Sequence, residues 1–374
     1  MTGTGFAATE DHELFRSTVR SFLEHDAPLS TVRSWIDESD GFDAAWWRRA
    51  AEIGVTTLLV SEDAGGGSLS GRGLEDLLVV AAEMGRLVSP GPLVPANVVA
   101  SAVSADGRPE QQARLLPGIL SGEIVPGWCG RAEVELVADG DDHVVLRGRA
   151  TPVEAGARAD VLLVTATGPE GLTQLLVPLD LPGIEVTPLT GTDLSRRFAR
   201  IDLADVRVER SAVLGEVGGG GAALARQRQL ALVLRCAETA GAMDRVLAVT
   251  LDYLGDRYAA GRPLSSYQVL KHYLADMKLW LEASYGVTAL AARALQDRTD
   301  EADELVHAAA AYVGEHGTEL VQKAVQLHGG IGITWEHDLH LYLRRVALNR
   351  NLDGTSAEHL EHLAASSLQH LEGQ

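Results

Sequence analysis

Apolar residues recur at helical spacing along the first third of the chain. A first helix is predicted over about 9–24, where this spacing runs through Leu14, Phe15, Val19, Phe22 and Leu23. Further helices are predicted over about 43–54 and 73–86, and again after a proline-bounded segment up to about 122. This pattern indicates a helical N-terminal domain over residues 1–121.

The pattern changes after Gly122 to short apolar and β-branched runs separated by glycine, aspartate and proline. These runs predict strands over 134–137, 142–146, 161–165, 172–178, 184–188 and 200–203. We therefore expect a small antiparallel β domain over residues 122–216. The glycine run that follows, up to Gly221, is interpreted as a linker.

Helical periodicity returns at Ala222 and persists to the end. The predicted helices cover about 222–254, 267–294, 301–326 and 337–349, with a terminal helix after Ser356. Long helices with short connections favour an antiparallel four-helix bundle within residues 217–374. The expected fold class is α+β, mainly α, in the order helical, β, helical.

Net charge and cysteine content exclude some classes of partner and site. The net charge of −20, from 52 acidic and 32 basic residues, argues against nucleic acid as a partner, because phosphate binding needs a basic face. The two cysteines, Cys129 and Cys236, form no disulfide framework and no zinc-ligand spacing, so a cytoplasmic protein without a metal site is expected. Neither a signal peptide nor an apolar run of membrane-spanning length is evident.

A glycine cluster lies in the segment Gln326-Leu327-His328-Gly329-Gly330-Ile331-Gly332. Glycine lets the backbone come close to a flat or anionic group, because no Cβ intervenes. The same cluster is also compatible with a tight turn between two helices. His328 is interpreted as a structural hydrogen-bond donor.

Several motifs, in order and spacing, resemble those of the acyl-CoA dehydrogenase family. Residues 59–66 are similar to the family's "VPEEYGG" loop, and 83–86 to "EELGR". Residues 256–268 are similar to "TREQFGRPI…FQ", 326–332 to "QLHGGIG", and 353–355 to "YEGT". The likeness extends over nearly the whole chain.

The resemblance implies a flavoprotein that removes two hydrogens from the α and β carbons of an acyl thioester such as acyl-CoA. It implies FAD as cofactor, with Arg257 and Gln268 as candidates for the pyrophosphate. It further implies that Gln326, Gly329 and Gly330 approach the cofactor of a neighbouring subunit. A homo- or hetero-tetramer is expected, with an electron-transfer flavoprotein as acceptor.

The catalytic carboxylate is predicted at Asp353, where the family pattern has glutamate, with Thr355 contacting the cofactor beside it. A general base must take the α-proton. Asp353 is also compatible with a turn or capping role, because Asp-Gly-Thr-Ser is a good turn and helix start. Glu238 is a second candidate base, about two turns from the position that some family members use.

The sequence departs from the family on the side that would face the flavin ring. The "TEPxxGSD" stretch reads Gly127-Trp128-Cys129-Gly130-Arg131-Ala132-Glu133, and Pro152 and Glu154 replace an aromatic residue and a threonine. Three alternatives to a homomeric enzyme therefore stay open. The chain could be the non-catalytic subunit of a heteromeric α2β2 dehydrogenase, including those for steroid side chains. It could be a scaffold, or it could act on an acyl group carried by a protein.

Overall fold

The computed structural model describes residues 5–6, 9–36 and 41–372. Its helices are α1 (Glu10–Asp26), α2 (Leu29–Ile36), α3 (Ala44–Glu52), α4 (Gly73–Arg86), α5 (Leu93–Asp106), α6 (Pro109–Leu120), α7 (Gly221–Asp256), α8 (Gln268–Asp297), α9 (Ala302–His328), α10 (Leu339–Leu352) and α11 (Ser356–Glu372). The predicted helices all lie within these elements, to within a few residues at each end. Among the described residues, no helix combines the length and apolar character that a membrane crossing requires.

The strands lie between α6 and α7, apart from a two-residue pair that follows α7. They are β1 (Pro126–Trp128), β2 (Glu133–Asp139), β3 (His143–Glu154), β4 (Val161–Gly168), β5 (Gly171–Pro178), β6 (Ile184–Leu189), β7 (Phe198–Glu209), β8 (Val213–Leu214), β9 (Tyr258–Ala259) and β10 (Arg262–Pro263). The main sheet has the order β6-β7-β3-β2-β4-β5-β8, with β1 beside β4. The predicted fold class, mainly helical with a central sheet, is confirmed.

The sheet differs from the prediction in its pairing, in the length of two strands and in the presence of β1 and β8, which no predicted run covers. Most neighbours are antiparallel, but β4 pairs in parallel with both β1 and β2. The strands β3 and β7 each have 12 residues and extend well beyond the predicted runs. Their pairing has irregularities between Leu146 and Gly148 and between Ala150 and Val153. A bulge disrupts the alternation of apolar and polar residues, so the pattern alone ends the strand too early.

The described residues form two compact units. One contains the described residues of Met1–Val32, with Leu74–Ser89 and Leu232–Gln374; the other contains those of Arg33–Gly73, with Pro90–Ala231. The sheet lies in the second unit, and its core is built from fully buried side chains that include Leu146, Val164, Leu175, Ile201 and Val206. The three-domain limits at 121 and 216 stay a prediction.

In the first unit, two glycines bring α4 and α7 into backbone contact. A Cβ on Gly85 would lie 1.9 Å from the carbonyl oxygen of Glu238, and one on Gly241 would lie 1.9 Å from that of Ala82. Only glycine allows so close an approach. The glycine of the "EELGR"-like motif is therefore explained by helix packing.

The charged residues of the same motif form ion pairs. The carboxylate of Glu83 accepts two hydrogen bonds from Arg20, at 2.8 and 2.7 Å. Arg86 is paired with Asp244 on α7. These pairs tie α4 to α1 and α7, so the motif contributes to packing within the unit.

Candidate cofactor and active site

Arg257 and Gln268 flank the connection between α7 and α8. The connection is a closed loop, because the Leu264 N–H donates to the Arg257 carbonyl at 2.8 Å. The Tyr267 hydroxyl donates to the Ala259 carbonyl at 2.8 Å, which ties the loop to the start of α8. The sequence therefore builds a small ordered loop that presents both predicted residues.

The Arg257 side chain is exposed, and within the described ranges its guanidinium makes no ion pair. It therefore pairs with neither of the nearby carboxylates on α7, Asp252 and Asp256. Gln268 is the first residue of α8, and Tyr267 at the N-cap provides no side-chain acceptor for the helix N–H groups. An unpaired cation near a helix N-terminus is a favourable arrangement for a phosphate group.

Gly329 and Gly330 follow the last residue of α9 and are exposed, as is Gln326 one turn earlier. Gly329 has φ 63° and ψ −139°, a conformation that is essentially restricted to glycine. Gly330 does not share this positive φ, and a Cβ there would meet no atom within 4 Å. The chain's own packing therefore does not require glycine at position 330, which leaves room for a ligand or another subunit.

The ends of α7 and α9 are held together by Tyr253 and His328. Their rings stack with centroids 4.4 Å apart, and the Tyr253 hydroxyl donates to the His328 carbonyl at 3.1 Å. Tyr253 lies one turn before Arg257, and His328 directly precedes Gly329. The structure therefore places Arg257 and the glycine pair at the same end of the helical unit, so one chain can offer both to one ligand.

His328 has a structural role, as interpreted from the sequence. Its side chain is buried, and its Nδ1 lies 2.8 Å from the Ala324 carbonyl oxygen, which only accepts, so Nδ1 carries the proton. Desolvation lowers the pKa of His328 below its usual value. The imidazole is therefore neutral near pH 7 and acts in packing.

Asp353 and Thr355 lie between α10 and α11. The Asp353 carboxylate accepts a hydrogen bond from Arg235 Nε at 2.5 Å, and both side chains are largely buried. The Thr355 hydroxyl accepts from the Glu358 N–H at 3.2 Å, and the Glu358 carboxylate accepts from the Thr355 N–H at 2.7 Å. This reciprocal arrangement is a capping box that starts α11. Both predicted site residues thus have partners within the chain.

The two groups of predicted residues are far apart in one chain. Arg235, which holds Asp353, precedes Asp256 at the end of α7 by 21 residues. At about 1.5 Å per residue, this separation is about 30 Å along the helix. The carboxylate group of residues and the Arg257 group therefore lie towards opposite ends of this part of α7.

Glu238, the second candidate base, lies in a buried polar network. Its carboxylate accepts from Arg345 at 2.6 Å and from the Asn349 amide at 2.9 Å. The Arg345 side chain is fully buried and also donates to the carbonyls of Ser89 and Val88. These contacts favour a structural role for Glu238 over proton transfer.

In the other unit, the residues that depart from the family pattern are also internal. Trp128 is buried, and its indole N–H donates to Gln227 at 3.1 Å. Glu154 is buried and paired with Arg196 at 3.1 Å. Trp128 and Glu154 are thus held by contacts within their own unit.

The sequence did not predict the ion-pair partners of the two candidate bases, which are Arg235 for Asp353 and Arg345 for Glu238. Arg235 stands in the apolar run Leu230–Cys236, where a charged residue needs a partner if that face is buried. That signal predicts an ion pair without naming the partner. Because Asp353 lies 118 positions away, only the folded chain identifies it.

Comparison with known proteins agrees with this architecture. Residues 9–123 match the family model for the acyl-CoA dehydrogenase N-terminal domain, and residues 221–368 match that for the C-terminal domain. A relative from Mycolicibacterium smegmatis, acyl-CoA dehydrogenase IpdE2, is 32% identical over 359 residues, covering 96% of this chain and 99% of the relative.

Solved structures of other proteins share this fold. A variant of the Tcur3481-Tcur3483 steroid ACAD superposes with a TM-score of 0.87 at 28% identity, covering 97% of this chain and 99% of that one. A glutaryl-CoA dehydrogenase from Mycobacterium smegmatis, in complex with FADH2, shares the fold with a TM-score of 0.88 at 21% identity, covering 98% and 96%. The chain therefore belongs to the acyl-CoA dehydrogenase family of flavin-dependent oxidoreductases.

Proposed function

We propose that this chain takes part in FAD-dependent α,β-dehydrogenation of an acyl-CoA thioester. The observation that carries the proposal is the exposed end of the helical unit, where Arg257, the N-terminus of α8 and Gly330 are all available to a ligand. FAD, when bound, accepts the hydride from the β-carbon. The protein's own task is to hold the cofactor and to remove the α-proton.

The residues at this end fit the diphosphate of FAD. The Arg257 guanidinium supplies a cation with several N–H donors, and the first N–H groups of α8 supply further donors. Gly330 lets the backbone approach without a side chain in the way. Gln326 and Gln268 add exposed amides that can donate or accept.

Asp353 is the residue proposed to take the α-proton. Its carboxylate is already oriented by Arg235, which fixes it at the end of α10. The positive charge of Arg235 would also stabilise negative charge that develops on the acyl thioester as the α-proton leaves.

A complete site needs two subunits, because Asp353 and the Arg257 end are about 30 Å apart in one chain. The Arg257 end also exposes apolar side chains that a neighbouring subunit would cover: Tyr258, Val269, Ile331, Ile333 and Trp335. A homo- or hetero-tetramer with shared sites accounts for both features. We further propose a cytoplasmic enzyme that passes electrons to an electron-transfer flavoprotein.

A second candidate function is that of a non-catalytic subunit in a heteromeric dehydrogenase. It is favoured by the ion pairing of both candidate bases, Asp353 with Arg235 and Glu238 with Arg345. In that case this chain would supply Arg257 and Gly330 to the cofactor of a related subunit that holds the base. The steroid ACAD to which the chain is similar carries a two-part name, Tcur3481-Tcur3483. By analogy, we propose the acyl-CoA of a steroid as the substrate class.

The visible absorption spectrum of the purified protein tests these proposals. The protein would be expressed alone and together with a related subunit encoded beside it. Flavin bands in the lone protein support a homomeric enzyme, and bands only after co-expression support the heteromer. Absence of flavin from both preparations would contradict the proposed function and leave a scaffold. Turnover of a protein-bound acyl group, but not of acyl-CoA, would contradict the proposal that CoA carries the acyl group.

Arg257→Gln is expected to lower the flavin content while leaving the unfolding free energy nearly unchanged. The guanidinium has no ion pair to lose, but a charge-assisted hydrogen bond to phosphate contributes about 1.5–3 kcal/mol, which corresponds to about 10- to 150-fold in affinity. The measurement is flavin per chain across a titration with FAD. Arg262→Gln is the matched control, because Arg262 stacks on the Tyr267 ring in the same loop. Equal loss of flavin in both variants would contradict the assignment of Arg257.

Gly330→Ala is expected to weaken flavin binding or subunit assembly without destabilising the isolated fold. A Cβ at this position meets nothing within 4 Å in the chain itself, so any effect reports on a ligand or another subunit. Gly286→Ala on α8, which also has open space around its Cβ, is the control. Flavin content and sedimentation of the two variants would be compared. If Gly330→Ala has wild-type flavin content and sedimentation, neither the cofactor nor another subunit approaches this glycine closely.

A further inference from the structure

A cluster of three histidines and an aspartate joins α9 to α11, and none of the four residues belongs to the site described above. Asp303 and His307 lie one turn apart on α9, and His359 and His362 lie one turn apart on α11. One donor atom from each of Asp303, His307 and His362 lies within 4.8 Å of the others. Such spacing of two imidazole nitrogens and a carboxylate oxygen is a common basis for a divalent metal site.

The distances between the ligand atoms show how the three side chains are oriented. His362 Nε2 and Asp303 Oδ2 are 2.5 Å apart, and His307 Nε2 lies 3.9 Å from Asp303 Oδ1. Ligands about 2.1 Å from a tetrahedral Zn²⁺ are about 3.4 Å from one another. The observed separations lie on both sides of this value, so small side-chain rotations would bring the three donors around one ion.

His359 orients His307 from the other side. The Nδ1 atoms of the two rings are 2.9 Å apart, so one donates and the other accepts. His359 is buried, with 4% of its surface exposed, and holds the His307 ring with Nε2 turned towards Asp303. Metal-binding histidines are usually held by a hydrogen bond at their second nitrogen, which fixes the tautomer and the ring plane.

The His307 ring stacks on that of His362, with centroids 3.9 Å apart and an interplanar angle of 21°. A neutral imidazole is a common metal ligand through either of its ring nitrogens.

We propose that Asp303, His307 and His362 bind one divalent transition-metal ion, with His359 as a positioning residue, and that the ion fastens α11 to α9. Imidazole and carboxylate donors suit Zn²⁺, which prefers a tetrahedral arrangement. Three protein ligands leave a fourth position for water. The two cysteines of the chain take no part, which is why a search for cysteine-based zinc spacing finds no such site.

The experiment uses the untagged full-length protein, because a histidine tag would itself bind metal. The protein is treated with a chelator, dialysed, and titrated with Zn²⁺ alone by calorimetry. We expect one ion per chain, at least tenfold weaker binding in His307→Gln and His362→Gln, and 10- to 100-fold weaker binding in His359→Phe. His272→Gln, at an exposed position of α8, is the matched control and should bind as the wild type does.

Hydrogen exchange provides a second test. If the ion links the two helices, Zn²⁺ should slow amide exchange in α11 and in the first turns of α9, and the effect should disappear in His362→Gln. The proposal would be overturned if the wild type and His307→Gln had equal affinity for Zn²⁺. It would also be overturned if Zn²⁺ bound without slowing amide exchange in α11. None of these measurements depends on flavin or on turnover, so the result is separate from that of the proposed function.

Discussion

Asp353→Asn is expected to lower kcat for acyl-CoA dehydrogenation by a factor of about 10² to 10⁴, the usual contribution of a general base. The amide of asparagine can still accept a hydrogen bond from Arg235 Nε, so the geometry at the end of α10 should be retained. It cannot accept the α-proton at neutral pH. Flavin content should stay near the wild-type value, because the substitution leaves Arg257 and Gly330, which are proposed to hold the diphosphate, unchanged.

Steady-state kinetics with acyl-CoA, normalised to bound flavin, measures this effect. Glu358→Gln is the matched control. It removes a carboxylate from the neighbouring capping box and leaves the ion pair of Asp353 with Arg235 intact. If Asp353→Asn turns over within about threefold of the wild type, Asp353 is not the base. That result would indicate that a related subunit supplies the general base, and it would favour the heteromeric alternative.

Glu238→Ala should destabilise the protein by about 3–5 kcal/mol, because it leaves the fully buried Arg345 guanidinium without its counter-charge. Asn349 would also lose its carboxylate partner. The expected loss of stability is a structural effect, and it is predicted whether or not the reaction occurs on this chain. Chemical denaturation followed by far-UV circular dichroism would measure it.

The control for this prediction is Glu315→Ala, which removes an ion pair with Arg350 at 2.5 Å on an exposed surface. Exposed pairs contribute about 0–1 kcal/mol, so this change should be small. The double variant Glu238→Leu with Arg345→Met should recover part of the loss, because it removes both buried charges. A loss of kcat in Glu238→Gln at unchanged stability would instead identify Glu238 as the base.

Most of the secondary structure could be predicted from the pattern of apolar residues. Helices at least three turns long repeat the 3.6-residue period often enough to be recognised, as α7, α8 and α9 show. The predicted runs located β2 to β7 but missed the two- and three-residue strands, which are too short to show an alternation. The run for β3 was too short, because Gly148 and the irregular pairing beside it interrupt the two-residue alternation. The motifs likewise indicated the family, since their order along the chain survives even where single residues have changed.

The candidate site was only partly predictable. The glycine pair and Arg257 were recognised from their motifs, and the structure adds that they share one end of the unit through Tyr253 and His328. The partners of the carboxylates were not predictable, because ion pairs such as Arg345 with Glu238 join residues 107 positions apart. Local periodicity contains no information on such contacts.

The sequence by itself determined the helical and strand segments, the family and the residues that could hold a flavin. Only the tertiary structure decided what each polar side chain contacts. It joined Asp353 to Arg235, placed Thr355 in a capping box, and gathered Asp303, His307, His359 and His362 between two helices. The physical reason is that apolar periodicity arises from neighbours along the chain, whereas the partner of a buried charge is set by packing between distant segments.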